Sequence, residues 1–398
     1  MRPELVKVNA RARSRIKEGH PWIFRQEVLS GPNQDARDGG PALVEVVDER
    51  GRPLAIAMWA NASPIALRII DLREHSGPIP SLVEVAVPRI ERAIARRTSL
   101  ALDRDAFRVV HGESDDLPGL FVDRYADTAV LQTSSVAMNA HRSELAVHIQ
   151  RLLAVRLVVI RDDGSARDFE GLPRIAEVAL GQGSTKVVYR LGENRLETDL
   201  LNASKTGGFL DQADNHALVA GFALPGARCL DAFTAHGGFA LALARKGGPV
   251  LATDEEEQQV RYATANAQRN GLSNLTVRQA NAFELLRSLE AARERFDVVV
   301  LDPPAFAKRK SSEQAAQRAY HEIMLRGLRL TAADGLAVFC SCSGRIFRED
   351  FDRLITHAAS DSGRHVQVLM RLGAGRDHPE RVGLPETGHL KCWILRVL

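Results

Sequence analysis

From Arg228 onward, apolar segments with two different periods take turns, and this alternation limits the possible folds more than any other feature of the sequence. RCLDAF, VLATD, LTVRQAN, FDVVVLDPP and GLAVFCSCS read as strands, each followed by a helical stretch predicted to begin at Gly238, Glu256, Phe283, Ser312 and Phe347. Strand and helix in strict alternation predict a parallel, doubly wound α/β sheet, because a right-handed crossover helix packs back onto the sheet it left. Ligands of such sheets bind outside the carboxyl ends of the strands. The residues that close each strand are therefore where chemistry is expected.

The first strand-to-helix turn is Asp231-Ala-Phe-Thr-Ala-His-Gly-Gly-Phe239. Gly237 and Gly238 lack the Cβ atoms that would keep backbone from a ligand, and Asp231 at the strand end is placed to bind a polar group such as an amine. The second strand ends in Asp254, followed by Glu255, about 20 residues beyond the turn, where a carboxylate accepts from ribose hydroxyls. That is the mark of a nucleoside. The turn is not Gly-x-Gly-x-x-Gly, the fingerprint that seats a pyrophosphate on a helix N-terminus. S-adenosylmethionine, which has no phosphate, fits this pattern better than a dinucleotide. Asn281, after the third strand, is expected to meet adenine's amino group, while Phe283 reads as the start of a buried helix face.

The fourth strand drives Asp302 out at its carboxyl end, followed by two prolines and Phe306. Carboxylate, carbonyls and an aromatic face together suit the exocyclic amino group and the plane of a base. The fifth strand carries Cys340 inside an apolar run and Cys342 where the strand gives way to Ser343-Gly344. Cytosine C5 is a weak nucleophile until a thiolate adds to C6, so Cys342 is the expected nucleophile and Asp302 the group that holds the N3/N4 edge. Cys229 and Cys392 lie in apolar strands and are expected in the core.

The rest of the chain has other patterns. Residues 1–75 hold short strands, ALVEVVD, PLAIAMWA and PIALRIID, which predict a small β-barrel. Residues 76–197 follow as an α+β domain that opens with a helix over 81–102 and has a second over 139–154. Residues 198–398 form the third domain. The longest apolar runs are far shorter than the ~18 to 20 residues of a membrane span, and the N-terminus lacks the apolar core of a secretory signal. A cytoplasmic protein is expected. Four scattered cysteines fit neither a disulfide framework nor a zinc site, so no metal is expected. The net charge is only +3, yet the first 25 residues hold seven Lys/Arg against two Glu. Arg11, Arg13, Arg15, Lys17 and Arg25, with the loop Lys308-Arg309-Lys310, are the expected phosphate contacts.

With these residues assembled, the chain resembles, over nearly its whole length, the bacterial PUA-domain-containing 23S ribosomal RNA cytosine-5 methyltransferases. The resemblance is carried by His20-Pro21-Trp22-Ile23-Phe24, Gly208-Phe209-Leu210-Asp211-Gln212, Phe233 with Gly237-Gly238-Phe239, Asp302-Pro303-Pro304-x-Phe306, Ser341-Cys342-Ser343-Gly344 and Asp377-His378-Pro379. It implies an N-terminal PUA barrel for RNA, a central α+β domain and a C-terminal Rossmann-like class I methyltransferase. It also implies that Cys342 is the nucleophile and that Phe209 and Gln212 approach the cofactor. The turn (Asp231, Phe233, Thr234, Gly237, Gly238, Phe239), Asp254 with Glu255, Asn281, and Asp302 with Pro303 complete the expected S-adenosylmethionine site. Three positions depart from the pattern: Thr234-Ala235-His236 stands where relatives tend to have Ser-Tyr-Thr, Asn281 replaces Asp, and Ala213 replaces Arg. No cysteine follows Asp302-Pro303, so adduct release must use another group.

Two other functions fit parts of this sequence. Asp-Pro-Pro-Phe resembles the turn of enzymes that methylate a guanine or adenine nitrogen, which needs no thiol. A ribosome-assembly factor that binds S-adenosylmethionine without catalysis would tolerate the departures around His236 and Asn281. A homodimer is a further expectation.

Overall fold

The computed structural model describes residues 4–203, 205–306 and 313–398. Chain contacts divide the protein into two compact units, one of Met1–Val187, Asp199–Gly207 and Asp377–Thr387, the other of Val188–Thr198, Gly208–Arg376 and Gly388–Leu398.

The first unit opens with β1 (Leu5–Val8), α1 (Ala10–Lys17), β2 (Trp22–Phe24), β3 (Val28–Ser30), β4 (Leu43–Val47), β5 (Pro53–Trp59) and β6 (Ile65–Leu72). The strands pair in the order β2-β6-β5-β4-β1-β3, antiparallel except for the parallel β1–β4 pair. Val6, Val8, Ile23, Val44, Val46, Trp59 and Leu67 fill the core of this sheet. Next come α2 (Leu82–Ser99), β7 (Ala106–His111), β8 (Leu120–Tyr125), β9 (Thr128–Thr133), α3 (Val136–Ala140), α4 (Arg142–Leu153), β10 (Leu157–Asp162) and β11 (Ile175–Leu180), with the strands in the order β11-β10-β9-β8-β7. Ser81 and Glu84 close a capping box on α2. The helix expected over 139–154 is two, α3 and α4, meeting at His141. Leu43, Ile56, Met58 and Ile70 from the first sheet share a core with α2, α4 and the second sheet.

β12 (Lys186–Leu191) and β13 (Asn194–Asp199) form a hairpin, turned at Gly192, in the stretch read from sequence only as rich in turns.

The second unit contains α5 (Ala213–Phe222), β14 (Cys229–Asp231), α6 (Gly238–Ala244), β15 (Val250–Asp254), α7 (Glu257–Arg269), β16 (Leu275–Gln279), α8 (Ala282–Ala291), β17 (Phe296–Leu301), α9 (Glu313–Leu330), β18 (Thr331–Ser341), α10 (Arg348–Ser362), β19 (Val366–Leu372) and β20 (Lys391–Val397). The predicted helices begin within one residue of their expected starts. The sheet order is β16-β15-β14-β17-β18-β20-β19. Five strands run parallel as expected, but β20 inserts antiparallel between β18 and β19. The sheet is thus mixed, because no crossover helix separates β19 from β20. Val298, Val299, Val300 and Leu301 are all buried, as a central parallel strand covered on both faces requires. No described helix is long and apolar enough to cross a membrane.

Candidate active site

The strand order reverses at β14, with β15 and β16 to one side and β17 and β18 to the other. A reversal of this kind opens a crevice beyond the carboxyl ends of the strands. Asp231 closes β14, Asp254 closes β15, and Asp302 stands one residue beyond β17. Burial pushes the Asp231 carboxyl up to about 7, and the charges of Asp302 and Asp254 push the same way against the hydrogen bonds it accepts.

The loop is tied around Asp231. Its Oδ2 accepts from Thr234 Oγ1 at 2.8 Å and from the Ala240 amide at 3.1 Å. Its Oδ1 is buried with no hydrogen-bond partner among the described residues. An unsatisfied buried carboxylate oxygen is destabilising, and three neighbouring carboxylates favour a cation. S-adenosylmethionine carries both a sulfonium and an ammonium, so these residues fit it: Asp231 would hold the ammonium. Asp254 would hold the ribose, although its two oxygens already accept from the Ala235 amide (2.9 Å) and the Glu256 amide (3.0 Å). Glu255, beside it, is exposed.

The glycine pair also has a cause within the loop itself. Gly237 has φ +92°, a left-handed conformation that other residues adopt with strain. A Cβ on Gly238 would lie 2.2 Å from the His216 ring, which packs edge-on to Phe239 at 4.5 Å between centroids. The loop thus needs glycine for its own conformation and packing. Phe239 is buried, and Phe233 packs against the core of this unit.

Asn281 also holds structure. Its Oδ1 caps α8 by accepting from the Phe283 and Glu284 amides at 3.1 and 3.3 Å, and its Nδ2 donates to Glu255 at 3.2 Å. The acceptor assigned to adenine is engaged in holding a helix end. His236, the unusual loop residue, is buried between Phe209 and Tyr262, with ring centroids 6.0 and 5.0 Å away. Neither ring nitrogen has a hydrogen-bond partner among the described residues, and burial lowers the imidazole to about 4.

Gln212, expected at the cofactor, is itself buried and positions Asp302. Its Nε2 donates to Asp302 Oδ2 at 3.0 Å, and its Oε1 accepts from Asn215 at 2.6 Å. Asn215 also donates to the Gly373 carbonyl at 3.0 Å. Pro303 is buried, while the Phe306 ring packs against Tyr320 at 4.9 Å and Phe283 at 5.9 Å.

Cys342 follows the last residue of β18 and is half-buried, whereas Cys229, Cys340 and Cys392 are buried as expected. Burial pushes the Cys229 thiol up to about 12 and raises Cys340 as well. Around Cys342, Ser341 Oγ donates to Tyr320 Oη at 2.9 Å, and Lys391 Nζ donates to the carbonyls of Ser343 and His389, both at 2.7 Å. Lys391 did not stand out from sequence. A lysine opening an otherwise apolar strand, KCWIL, is the signal that could have marked it.

The basic residues near the N-terminus are partly committed elsewhere. Arg11 and Arg15 lie 3.5 and 3.3 Å from Glu27, and Arg13 lies 3.7 Å from both Asp48 and Glu49. Arg25 donates to the Ala60 carbonyl and lies over the Trp59 ring, 4.8 Å from its centroid. The local excess read from the first 25 residues is thus offset by carboxylates from elsewhere in the fold. Lys17 is exposed, and so is Arg11 despite its partner. Lys308, Arg309 and Lys310 lie outside the described residues.

Residues 6–72 match the PUA-like domain family, and residues 224–372 match the methyltransferase domain family. The chain is 33% identical over 389 residues to "Ribosomal RNA large subunit methyltransferase I" of Tolumonas auensis, covering 95% of this chain and 96% of the relative. It is 32% identical to "Ribosomal RNA large subunit methyltransferase" of Deinococcus radiodurans, covering 98% and 97%. The fold matches a methyltransferase solved as a complex with SAH at a TM-score of 0.83, with 16% identity, over 99% of this chain and 100% of the other. A SAM-dependent methyltransferase structure from Streptococcus mutans matches at 0.82 with the same identity and coverage. The cofactor is S-adenosylmethionine, and the chain belongs to the ribosomal RNA large subunit methyltransferase I family.

Proposed function

We propose that this protein methylates C5 of a cytosine in large-subunit (23S) ribosomal RNA, through a covalent bond between Cys342 and cytosine C6. The observation that carries the reading is a half-buried thiol at the carboxyl end of β18, on the strand next to the one that presents Asp302. The names of the relatives support the RNA class, and an enzyme of that substrate works in the cytoplasm.

Cys342 loses its proton to solvent, and its sulfur pair adds to C6. Asp302, oriented by Gln212, holds the N3/N4 edge and, as the carboxylic acid, gives its proton to N3, where the electron pair arrives as C5 becomes enamine-like, and takes it back when the thiolate leaves. Bound S-adenosylmethionine supplies the electrophilic methyl group that C5 takes. Loss of the C5 proton to a base then expels the Cys342 thiolate. Pro303 and the 231–239 loop shape the cofactor side, with Asp231 as the anionic partner. Arg11 and Lys17, the exposed basic residues of α1, are the best placed to meet phosphate, and a second copy of the chain is the expected protein partner.

RNA containing 5-fluorocytidine tests this reading, because fluorine blocks proton loss and traps the adduct. A band of protein linked to RNA on a denaturing gel, absent for Cys342→Ala, is the expected result. A nitrogen methyltransferase would transfer methyl with Cys342→Ala and trap nothing. A non-catalytic assembly factor would transfer none in either form.

A further inference from the structure

We propose that Lys391 is a positioning residue for the Cys342 thiolate: its buried ammonium, fixed beside the backbone that carries Cys342, favours the ionised sulfur. The inference rests on the reading of Cys342 as nucleophile.

The placement follows from strand pairing. β20 runs antiparallel to β18 with Lys391 opposite Ser341, so the lysine side chain starts one residue from Cys342. Only 2% of Lys391 is exposed, and its Nζ is clamped between the Ser343 and His389 carbonyls, both at 2.7 Å. Carbonyls satisfy two of the three N–H donors but carry no formal charge, so the ammonium's field is left to act on its surroundings. A buried cation without a carboxylate in its hydrogen-bond shell is uncommon, because desolvation opposes it. Burial accordingly lowers Lys391 to about 8, while the Cys342 sulfur acts in the opposite direction, which marks the two as electrostatic neighbours.

Other groups act on this pair. Tyr320 on α9 feels both the Cys342 sulfur and Asp302, which stands beyond β17; a negative Asp302 opposes ionisation of the sulfur. On α10, Arg348 lowers the lysine and Asp350 raises it. His389 contributes only its carbonyl to the clamp. Lys391 is the cation that the fold holds at the sulfur's own backbone, so it offsets Asp302. Below about pH 8 the ammonium is present; above it the ammonium is lost, and the help to the thiolate goes with it.

Alkylation by iodoacetamide, followed from about pH 5 to about pH 10, reads the thiol directly, since the other three cysteines are buried. The native protein should react with a midpoint below the ~8.5 of a free thiol. Lys391→Met should raise that midpoint and slow alkylation near neutral pH by about tenfold, the factor for one pKa unit. Lys391→Arg should restore most of the rate. A purely structural lysine would change melting temperature without moving the midpoint. An unchanged midpoint in Lys391→Met, or a native midpoint at or above about 8.5, which needs no variant, would overturn the proposal. Trapping on 5-fluorocytidine RNA separates this from the parent reading. A shifted midpoint with no adduct would refute the C5 chemistry and leave the lysine's effect on the thiol standing. An adduct with an unmoved midpoint would do the reverse.

Discussion

At the scale of single residues the site is held by carboxylates that are kept from their ordinary ionisation. Asp231 titrates near 7 because burial and its acidic neighbours disfavour the charge. Its folded pKa lies above the unfolded one, so the stability it contributes is present at low pH and is lost as pH rises through about 7. A cationic ligand reverses the preference by pairing with the ionised form. The affinity for S-adenosylmethionine should therefore rise about fivefold from about pH 6 to about pH 7, following the ionised fraction, and flatten in Asp231→Asn. Isothermal titration at both pH values measures it; equal slopes in the two proteins would show that Asp231 is not the linked group. Gly238 is a second residue with a defined load. Gly238→Ala would drive a methyl into the His216 ring, itself packed on Phe239, and overpacking of this kind typically destabilises by about 1 to 3 kcal/mol. A thermal melt should fall accordingly, and a melt at the native temperature would mean that the ring moves aside freely.

At the scale of elements, helix ends make their own demand on polar side chains. Asn281 is the N-cap of α8, and Asn281→Ala should lower stability by about 1 kcal/mol while changing cofactor affinity little. A large loss of affinity at unchanged stability would restore the adenine contact. The alternation of strands and helices, the ends of β14, β15 and β17, and the exposure of Cys342 relative to Cys340 were all legible, because periodicity and strand ends are local properties of sequence. Four things were not legible. The Gln212–Asp302 bond joins residues 90 positions apart. The antiparallel placement of β20 depends on which strand it pairs with, which period alone does not encode. The partners of the N-terminal arginines come from Glu27 and Asp48, so local charge overstated the free basic surface. Lys391 had only the signal of a lysine in an apolar strand, since its role depends on register with β18.

At the scale of the whole molecule, several residues that carried the family resemblance prove to be architectural. Asp377, far along the chain, folds with the first unit. Its carboxylate accepts from Arg104 at 2.9 Å and from the Arg108 amide at 2.8 Å, its carbonyl accepts from Arg97 at 3.0 Å, and His378 Nδ1 lies 3.0 Å from it. Arg97 in turn donates two hydrogen bonds to the Asp115 carboxylate, both at 2.6 Å. Trp22 of the His-Pro-Trp motif donates to Glu113 at 2.9 Å. Removing one partner of a buried charge network leaves the other uncompensated, so Asp377→Ala should destabilise by about 3 to 5 kcal/mol, read as a fall in melting temperature. A loss under about 1 kcal/mol would place Asp377 among exposed pairs in its effect. The proposed reaction is transfer of a methyl group to cytosine C5 of ribosomal RNA by way of Cys342. Its most direct test is incubation of undermodified large-subunit RNA with the protein and tritiated S-adenosylmethionine, followed by digestion to nucleosides and mass identification of the labelled one. The account predicts label in 5-methylcytidine with the native protein and none with Cys342→Ala. Label in a methylated purine, or in 5-methylcytidine with the alanine variant, would contradict it.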